Sequence, residues 1–188
     1  MTRIVAGSAG GRRIATASGA ATRPTSDRVR EAVFSRLEVL LGTLVGTTFL
    51  DLYAGSGAVG LEALSRGAAR ATLVERDRRT ARIIRANVAT LGLPAATVVT
   101  AGVEGYLRAG PAPGCNHDVA FLDPPYCLGE EPLAGVLADL AAQGWLADDA
   151  VVVVERSSRS PEPVWPPSVV PAGCRRYGET MVWYGRAS

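Results

Sequence analysis

The chain has 188 residues, a formal net charge of +2, a single histidine and three cysteines, and all twenty of its basic Lys/Arg positions are arginine. With no lysine, P-loop phosphate binding and Schiff-base or pyridoxal chemistry are excluded, because each needs a lysine amine. One histidine and no CxxC pair exclude a His-rich metal centre and a structural zinc site, and no GxSxG elbow accompanies His117.

In chain order, the stretch RIVAG-SAGG-RRIAT predicts a small β-hairpin turning on Gly10-Gly11. A helix is predicted from Asp27 to about Leu41, with Thr25 or Ser26 as N-cap and Val29, Val33, Leu37, Leu40 and Leu41 packed inward. Residues 1–36 carry seven arginines against Asp27 and Glu31, net +5, while the remainder is net −3. Residues 1–42 are therefore expected to be a basic hairpin-and-helix extension, packed on a core of residues 43–188 and suited to a polyanion.

From residue 47 short β-rich runs alternate with helical stretches. Strands are expected at 47–52, 70–75, 96–100, 118–122 and 150–155, and a closing hairpin at 169–177 and 180–186 turns at Gly178-Glu179. Helices are expected near 57–66, 77–91, 102–109 and 132–142. This order predicts an α/β fold of Rossmann-like type, with a mostly parallel seven-stranded sheet, helices on both faces and a C-terminal antiparallel hairpin. Prolines 161–171 mark an irregular connection. The apolar pattern at the N-terminus lacks a signal-peptide core, no run has the length of a membrane helix, and the cysteines show no disulfide framework; a cytoplasmic monomer is expected.

The densest motif is FLDLYAGSGAVG at 49–60, on a strand-turn-helix. Gly55, Gly57 and Gly60 satisfy GxGxxG, a pattern shared by many nucleotide folds, and with Tyr53, Ala54 and Ser56 they let a ligand approach the backbone at a helix N-terminus. Asp51 decides its character. A carboxylate there repels a pyrophosphate but suits the α-ammonium and sulfonium of S-adenosylmethionine. Glu75, with Arg76 beside it, closes the next strand, where a carboxylate can accept both hydrogen bonds of a ribose diol.

The second motif is FLDPPY at 121–126. Pro124 and Pro125 lack N–H groups and end the strand, leaving rigid carbonyls at the C-terminal edge of the sheet. There Asp123 and the Pro124 carbonyl can accept the two N–H bonds of a planar amine while Tyr126 stacks on its ring. An aspartate of ordinary pKa near ~3.9 is too weak a base to remove a proton beforehand, but it can accept one as positive charge develops.

The pairing of DLYAGSG with DPPY resembles methyltransferases that act on exocyclic nitrogens of nucleobases. More narrowly, RIVAGSAGGRRI, RPTSDRVREAVFSRL at 23–37, DLYAGSGAVGLEALSRGA at 51–68, FLDPPY and YGETMVWY resemble the bacterial 16S rRNA guanine-N2 methyltransferases, the RsmD family. The resemblance implies methyl transfer from S-adenosylmethionine, without a metal and leaving S-adenosylhomocysteine, to the N2 amine of guanine 966 of 16S rRNA. The substrate would be the 30S subunit or an assembly intermediate, with no membrane involved. Asp123, Pro124, Pro125 and Tyr126 would form the target site. Asp51, Tyr53, Ala54, Gly55, Ser56, Gly57, Glu75, Arg76, Gly102 and Val103 would form the cofactor site. Where such proteins carry an acidic or amide residue for the adenine, this chain has Gly102, so that contact falls to backbone around Val103 or to Glu104. Arg3, Arg12, Arg13, Arg23, Thr25, Arg28 and Arg30 would hold RNA. Arg78, Arg79, Arg82 and Arg85 are read as a solvated helix face, His117 as structural, and Trp145, Trp165 and Trp183 as core or loop plugs. An adenine-N6 methyltransferase on DNA or RNA is an alternative, because DPPY suits that amine equally. An NAD-dependent oxidoreductase built on GxGxxG is a more remote one.

Overall fold

A computed structural model of the protein describes residues 2–16 and 26–188. At the N-terminus β1 (Thr2–Arg3) pairs antiparallel with β2 (Arg13–Ile14). The hairpin is wider than a turn on Gly10-Gly11. Ile4 exchanges backbone hydrogen bonds with Arg12 and Gly11, and the residues between them form a loop of their own. That loop docks on a helix far along the chain. The helix α1 (Asp27–Leu41) starts where the Ser26 side chain accepts from the Val29 N–H at 3.3 Å, and it ends at Gly42 with φ 78°. It buries Val29, Val33, Phe34 and Leu37 at helical spacing, with Leu40 and Leu41 packed at the margin.

The body alternates β3 (Thr48–Leu52), α2 (Ala58–Ser65), β4 (Arg70–Glu75), α3 (Arg78–Leu91), β5 (Ala96–Thr100), α4 (Val103–Arg108), β6 (His117–Leu122), α5 (Glu130–Ala142) and β7 (Leu146–Ser157), and closes with β8 (Val169–Tyr177) and β9 (Thr180–Ala187). The seven-stranded sheet has the order β5-β4-β3-β6-β7-β9-β8. Strands β3 to β7 pair in parallel, whereas β9 runs antiparallel between β7 and β8. Gly178-Glu179 forms the two-residue turn that Tyr177 and Thr180 close. Pro171 is tolerated because β8 is an edge strand, and a register shift accompanies it.

Alternating side chains of each central strand serve two separate cores, as a sheet covered on both faces requires. Phe49, Leu73, Phe121 and Val153 pack under α1, α2 and α3, while Leu50, Leu52, Leu122 and Val154 pack under α4 and α5. Two elements extend beyond expectation. The helix α5 begins at Glu130, since Pro132 is compatible with a first helical turn. The strand β7 begins at Leu146, opposite His117, and pairing resumes only at Val151; residues 147–150 form an irregularity with Asp149 at φ 62°. The acid pair there hides the strand from a pattern reading.

His117 is buried between Trp145 and Thr72. Its Nδ1 lies 3.3 Å from the Trp145 carbonyl, Nε2 lies 3.4 Å from Thr72 Oγ1, and burial holds its pKa below the usual value. Trp145 is buried and donates to the Leu107 carbonyl at 2.9 Å; Trp165 and Trp183 pack at the edge of the same core. No helix among the described residues is long and apolar enough to cross a membrane.

Candidate active site

Strand order reverses between β3 and β6, which opens a crevice at their C-terminal ends. Asp51 and Asp123 stand on either side of it. Their strands are in register at Asp51–Phe121 and Leu52–Leu122, so Asp123 follows directly at the tip of β6. Both motifs therefore meet at one sheet edge.

The glycine loop is bound together by the acids around it. Asp51 is 2% exposed, and its Oδ2 accepts from the Gly60 N–H at 2.8 Å. Gly60 permits this approach: a Cβ there would lie 3.1 Å from that oxygen and 2.9 Å from Leu73. Burial raises the Asp51 carboxyl to about 7, opposed by the Gly60 hydrogen bond and helped by the charge of Glu75. Glu75 accepts from the Gly55 N–H at 3.0 Å and the Asp77 N–H at 2.8 Å, tying the loop to the tip of β4. Tyr53 has φ 62°, a left-handed conformation costly for a side chain of its size, and burial together with neighbouring Glu104 raises its hydroxyl pKa. Gly102 caps α4 with extended backbone, Val103 is buried behind it, and Arg76 is exposed at the end of β4.

Asp123 is half-buried, Pro124 buried, Pro125 half-buried and Tyr126 64% exposed. The expectation of an ordinary aspartate at 123 needs correction. Burial, then the charges of Glu155 and Asp51, push its carboxyl well above the usual range, and Arg156 opposes them. The sequence reading passed over Glu155 and Arg156 because VVVVER reads as the end of a core strand. Both are 7% exposed. Arg156 donates to the Leu128 carbonyl at 2.9 Å and to Glu130 at 2.6 Å, fixing the segment that follows the prolines. Among the described residues no group of three or more His, Cys, Asp and Glu could hold a metal ion.

The sequence model of the family described as "Conserved hypothetical protein 95" matches residues 2–186. "Ribosomal RNA small subunit methyltransferase D" of Escherichia coli strain K12 is 40% identical over 165 residues, 87% of this chain and 79% of its own. The chain belongs to this RsmD-type methyltransferase family. Its fold agrees with that of a solved family relative, yhhF from Escherichia coli, at a TM-score of 0.83 and 36% identity, covering 100% of this chain and 98% of that one. A more distant structure, SMU.776 complexed with S-adenosylhomocysteine, shares the fold at a TM-score of 0.67 and 15% identity, covering 88% of this chain and half (50%) of that one.

In this RsmD-type chain the N-terminal arginines divide by what they touch. Arg30 is buried, bonded to the Arg3 carbonyl and, at 2.8 Å, to Asp27; a guanidinium 1% exposed cannot grip an RNA phosphate from there. That corrects its expected role. Arg12 is spent on the carbonyls of Leu91 and Thr90 at the end of α3. Arg3 is 60% exposed and paired with Asp27, and Arg13 and Arg28 are exposed. Arg23 and Thr25 lie outside the described residues. Sequence reading also missed Asn87, buried on α3, whose side chain bonds the backbone of Ala15, just after β2, and the Ser56 carbonyl of the glycine loop. An asparagine in a polar helix segment carries no signal of such a bridge.

Proposed function

We propose that this protein transfers a methyl group from S-adenosylmethionine to the exocyclic N2 amine of a guanine in 16S rRNA, the equivalent of guanine 966, within the 30S subunit or an assembly intermediate. The observation that carries the reading is the meeting of two carboxylates, Asp51 and Asp123, across the β3–β6 crevice of an RsmD-type fold. The chemistry of the donor set fits the cofactor. Asp51 and Glu75 hold the glycine loop by Gly60 and Gly55, and Glu104 lies beside Tyr53 that precedes it; this set of carboxyl groups disfavours the pyrophosphate of a dinucleotide and favours a cationic ligand. This weighs against the oxidoreductase alternative.

S-adenosylmethionine, when bound, supplies an electrophilic methyl. Asp51, with Oδ2 committed to Gly60, offers Oδ1 to the α-ammonium, and Glu75 offers its outer lone pairs to the ribose hydroxyls. Asp123 and the Pro124 carbonyl hold the amine by its N–H groups, and Tyr126, exposed at the mouth, stacks on the extruded base. An amine conjugated with a purine ring is a weak nucleophile, so orientation supplies much of the rate. Burial and the neighbouring carboxylates raise the pKa of Asp123 and so make its carboxylate a stronger base than an exposed one, which favours its accepting the proton released as the N–C bond forms.

Purified protein with labelled cofactor and 30S subunits lacking the modification is expected to yield N2-methylguanine on nucleoside analysis. Methyl on adenine N6, or on any other atom, would overturn the reading.

A further inference from the structure

We propose that the tip of the β8–β9 hairpin is a second RNA-binding surface, on which Arg159, Arg175 and Arg176 hold rRNA phosphates beside the nucleotide presented to Asp123. The assignment rests on the rRNA methyltransferase reading above and adds where the substrate lies on the protein beyond the target base.

The sheet brings this tip to the edge that carries the site. Strand β7 is parallel to β6, with Leu122 opposite Val154, so Glu155 is level with Asp123. Strand β9 runs back along β7, and its first residue, Thr180, pairs with Ser157, two residues past Glu155. Thr180 also pairs with Tyr177, the last residue of β8. The Ser158 N–H donates to the Glu179 carbonyl at 2.7 Å, which ties the chain leaving β7 to the turn. From β6 across β7 and β9 to β8 is three strand spacings, or about 14 Å.

Arginines collect at that tip. Arg175 and Arg176 are exposed, and the Arg159 side chain is 88% exposed. Arg175 lies opposite Val182 and so faces the α1 side of the sheet, while Arg176 lies opposite Met181 on the other. Burial and Tyr177 raise the Tyr184 hydroxyl pKa, and the charges of Arg36 and Arg175 oppose them, as two guanidiniums on the α1 side must. Arg176 Nε donates to the Gly178 carbonyl at 2.9 Å, which fixes its guanidinium at the turn. Glu179 is 3.9 Å from Arg159, a solvated pairing that a phosphate can readily displace. Arg36 donates to the Ala172 carbonyl and Arg186, opposite Val170, to the Leu40 carbonyl, so α1 runs antiparallel to β8. Exposed Arg28, eight residues before Arg36, is therefore about 12 Å nearer the tip and continues the basic surface onto α1. Charge on an edge strand can also serve only to discourage pairing with another chain. That role needs charge along the whole edge, yet the far end of β8 leaves Val170 56% exposed and the arginines gather beside the site. Guanidinium groups at such a position suit the oxygens of a phosphate backbone.

The test measures filter binding of 16S rRNA across a salt series for a triple variant, Arg159→Gln with Arg175→Gln and Arg176→Gln. A charge-matched control carries Arg78→Gln, Arg79→Gln and Arg82→Gln on the exposed side of α3. Each lost phosphate contact lowers the slope of log K against log salt by about 0.7 to 0.9, so the hairpin triple is expected to lower it by about 2 to 3. The KM for 30S subunits is expected to rise with it, at an unchanged cofactor Kd, while the control keeps the wild-type slope. Arg175→Gln alone is expected to give about a third of the change, so the outcome does not depend on the triple variant folding. A wild-type slope in the hairpin variants would overturn the assignment, as would an equal fall in the control, which would reduce the effect to net charge. If the wild-type protein places no methyl on 16S rRNA, the functional reading fails and the assignment with it. Methylated rRNA together with an unaltered slope in the hairpin variants defeats the assignment alone.

Discussion

At Asp51, cofactor binding and stability are opposed. A carboxyl whose pKa is raised by folding from 3.8 to about 7 holds its proton more tightly in the folded state, so its contribution to stability is lost as pH rises from about 4 to about 7. At roughly 1.4 kcal/mol per pH unit the cost at pH 8 is a few kcal/mol. Asp51→Asn keeps an acceptor for the Gly60 N–H and removes that cost. The cofactor-free variant should melt roughly 10 °C above wild type at pH 8, with the gap closing towards pH 4, while cofactor affinity collapses. Calorimetric scans across that pH range check the first effect and titration with S-adenosylmethionine the second; an equal gap at both pH limits would refute the linkage. Asp123→Asn, by contrast, keeps one acceptor for the amine but cannot take its proton. Single-turnover methyl transfer should fall by roughly 10²-fold or more with RNA affinity unchanged. Both acids were readable from their strand-end positions beside Gly and Pro, whose backbone demands are local. Glu155 was not, because its proximity to Asp123 comes from the register of two strands separated by a helix, and no local pattern encodes register.

Among the elements, the N-terminal loop shows how a short segment is bound without a core of its own. Val5 and Ala6 donate to the fully buried Glu62 carboxylate at 2.6 and 2.9 Å, and Ala9 donates to Ser65 Oγ at 2.9 Å. Arg66 completes the Glu62 site at 2.8 Å while lying over the Phe34 ring of α1, so hairpin, α1 and α2 share one junction. Gly7 carries φ 81°, and a Cβ there would fall 1.9 Å from the Ser65 carbonyl oxygen, whereas Gly11 carries φ 80° in open space. Gly11→Ala should cost only the left-handed strain, about 1 kcal/mol. Gly7→Ala should expel the loop as well, exposing the Val5, Ala6 and Ala9 amides and lowering the melting temperature further. Hydrogen exchange at those three amides decides it: protection equal to wild type would show that the junction yields instead. The helices and parallel strands were legible because apolar periodicity and Ser, Asp and Gly caps agree with the tertiary environment at each of them. The hairpin loop was misread as a turn on Gly10-Gly11, since its shape is imposed by Glu62 and Ser65, more than fifty residues away.

Across the whole molecule, a net charge of +2 conceals a basic extension on an acidic body, and the structure divides that basicity between folding and solvent. Arg30 and Arg12 join the extension to itself and to α3, through Asp27 and through the last carbonyls of a helix, where a cation is favoured. Arg13 and Arg28 are left facing outwards. Only cations that replace counterions on a polyphosphate contribute to the salt dependence of binding, by close to one in the slope of log K against log salt for each contact made. For RNA binding, Arg13→Ala and Arg28→Ala should each lower that slope by about 0.7 to 0.9 and leave the melting temperature within roughly 2 °C of wild type. Arg30→Ala should do the reverse. Removing a buried guanidinium leaves Asp27 and the Arg3 carbonyl without their donor, at a cost of roughly 3–5 kcal/mol, so the protein melts many degrees lower while any that remains folded keeps the wild-type slope. Filter binding of 16S rRNA across a salt series, run beside thermal melts, separates the two kinds of arginine. If Arg30→Ala reduced the slope without altering the melt, the division between structural and RNA-facing arginines would be wrong.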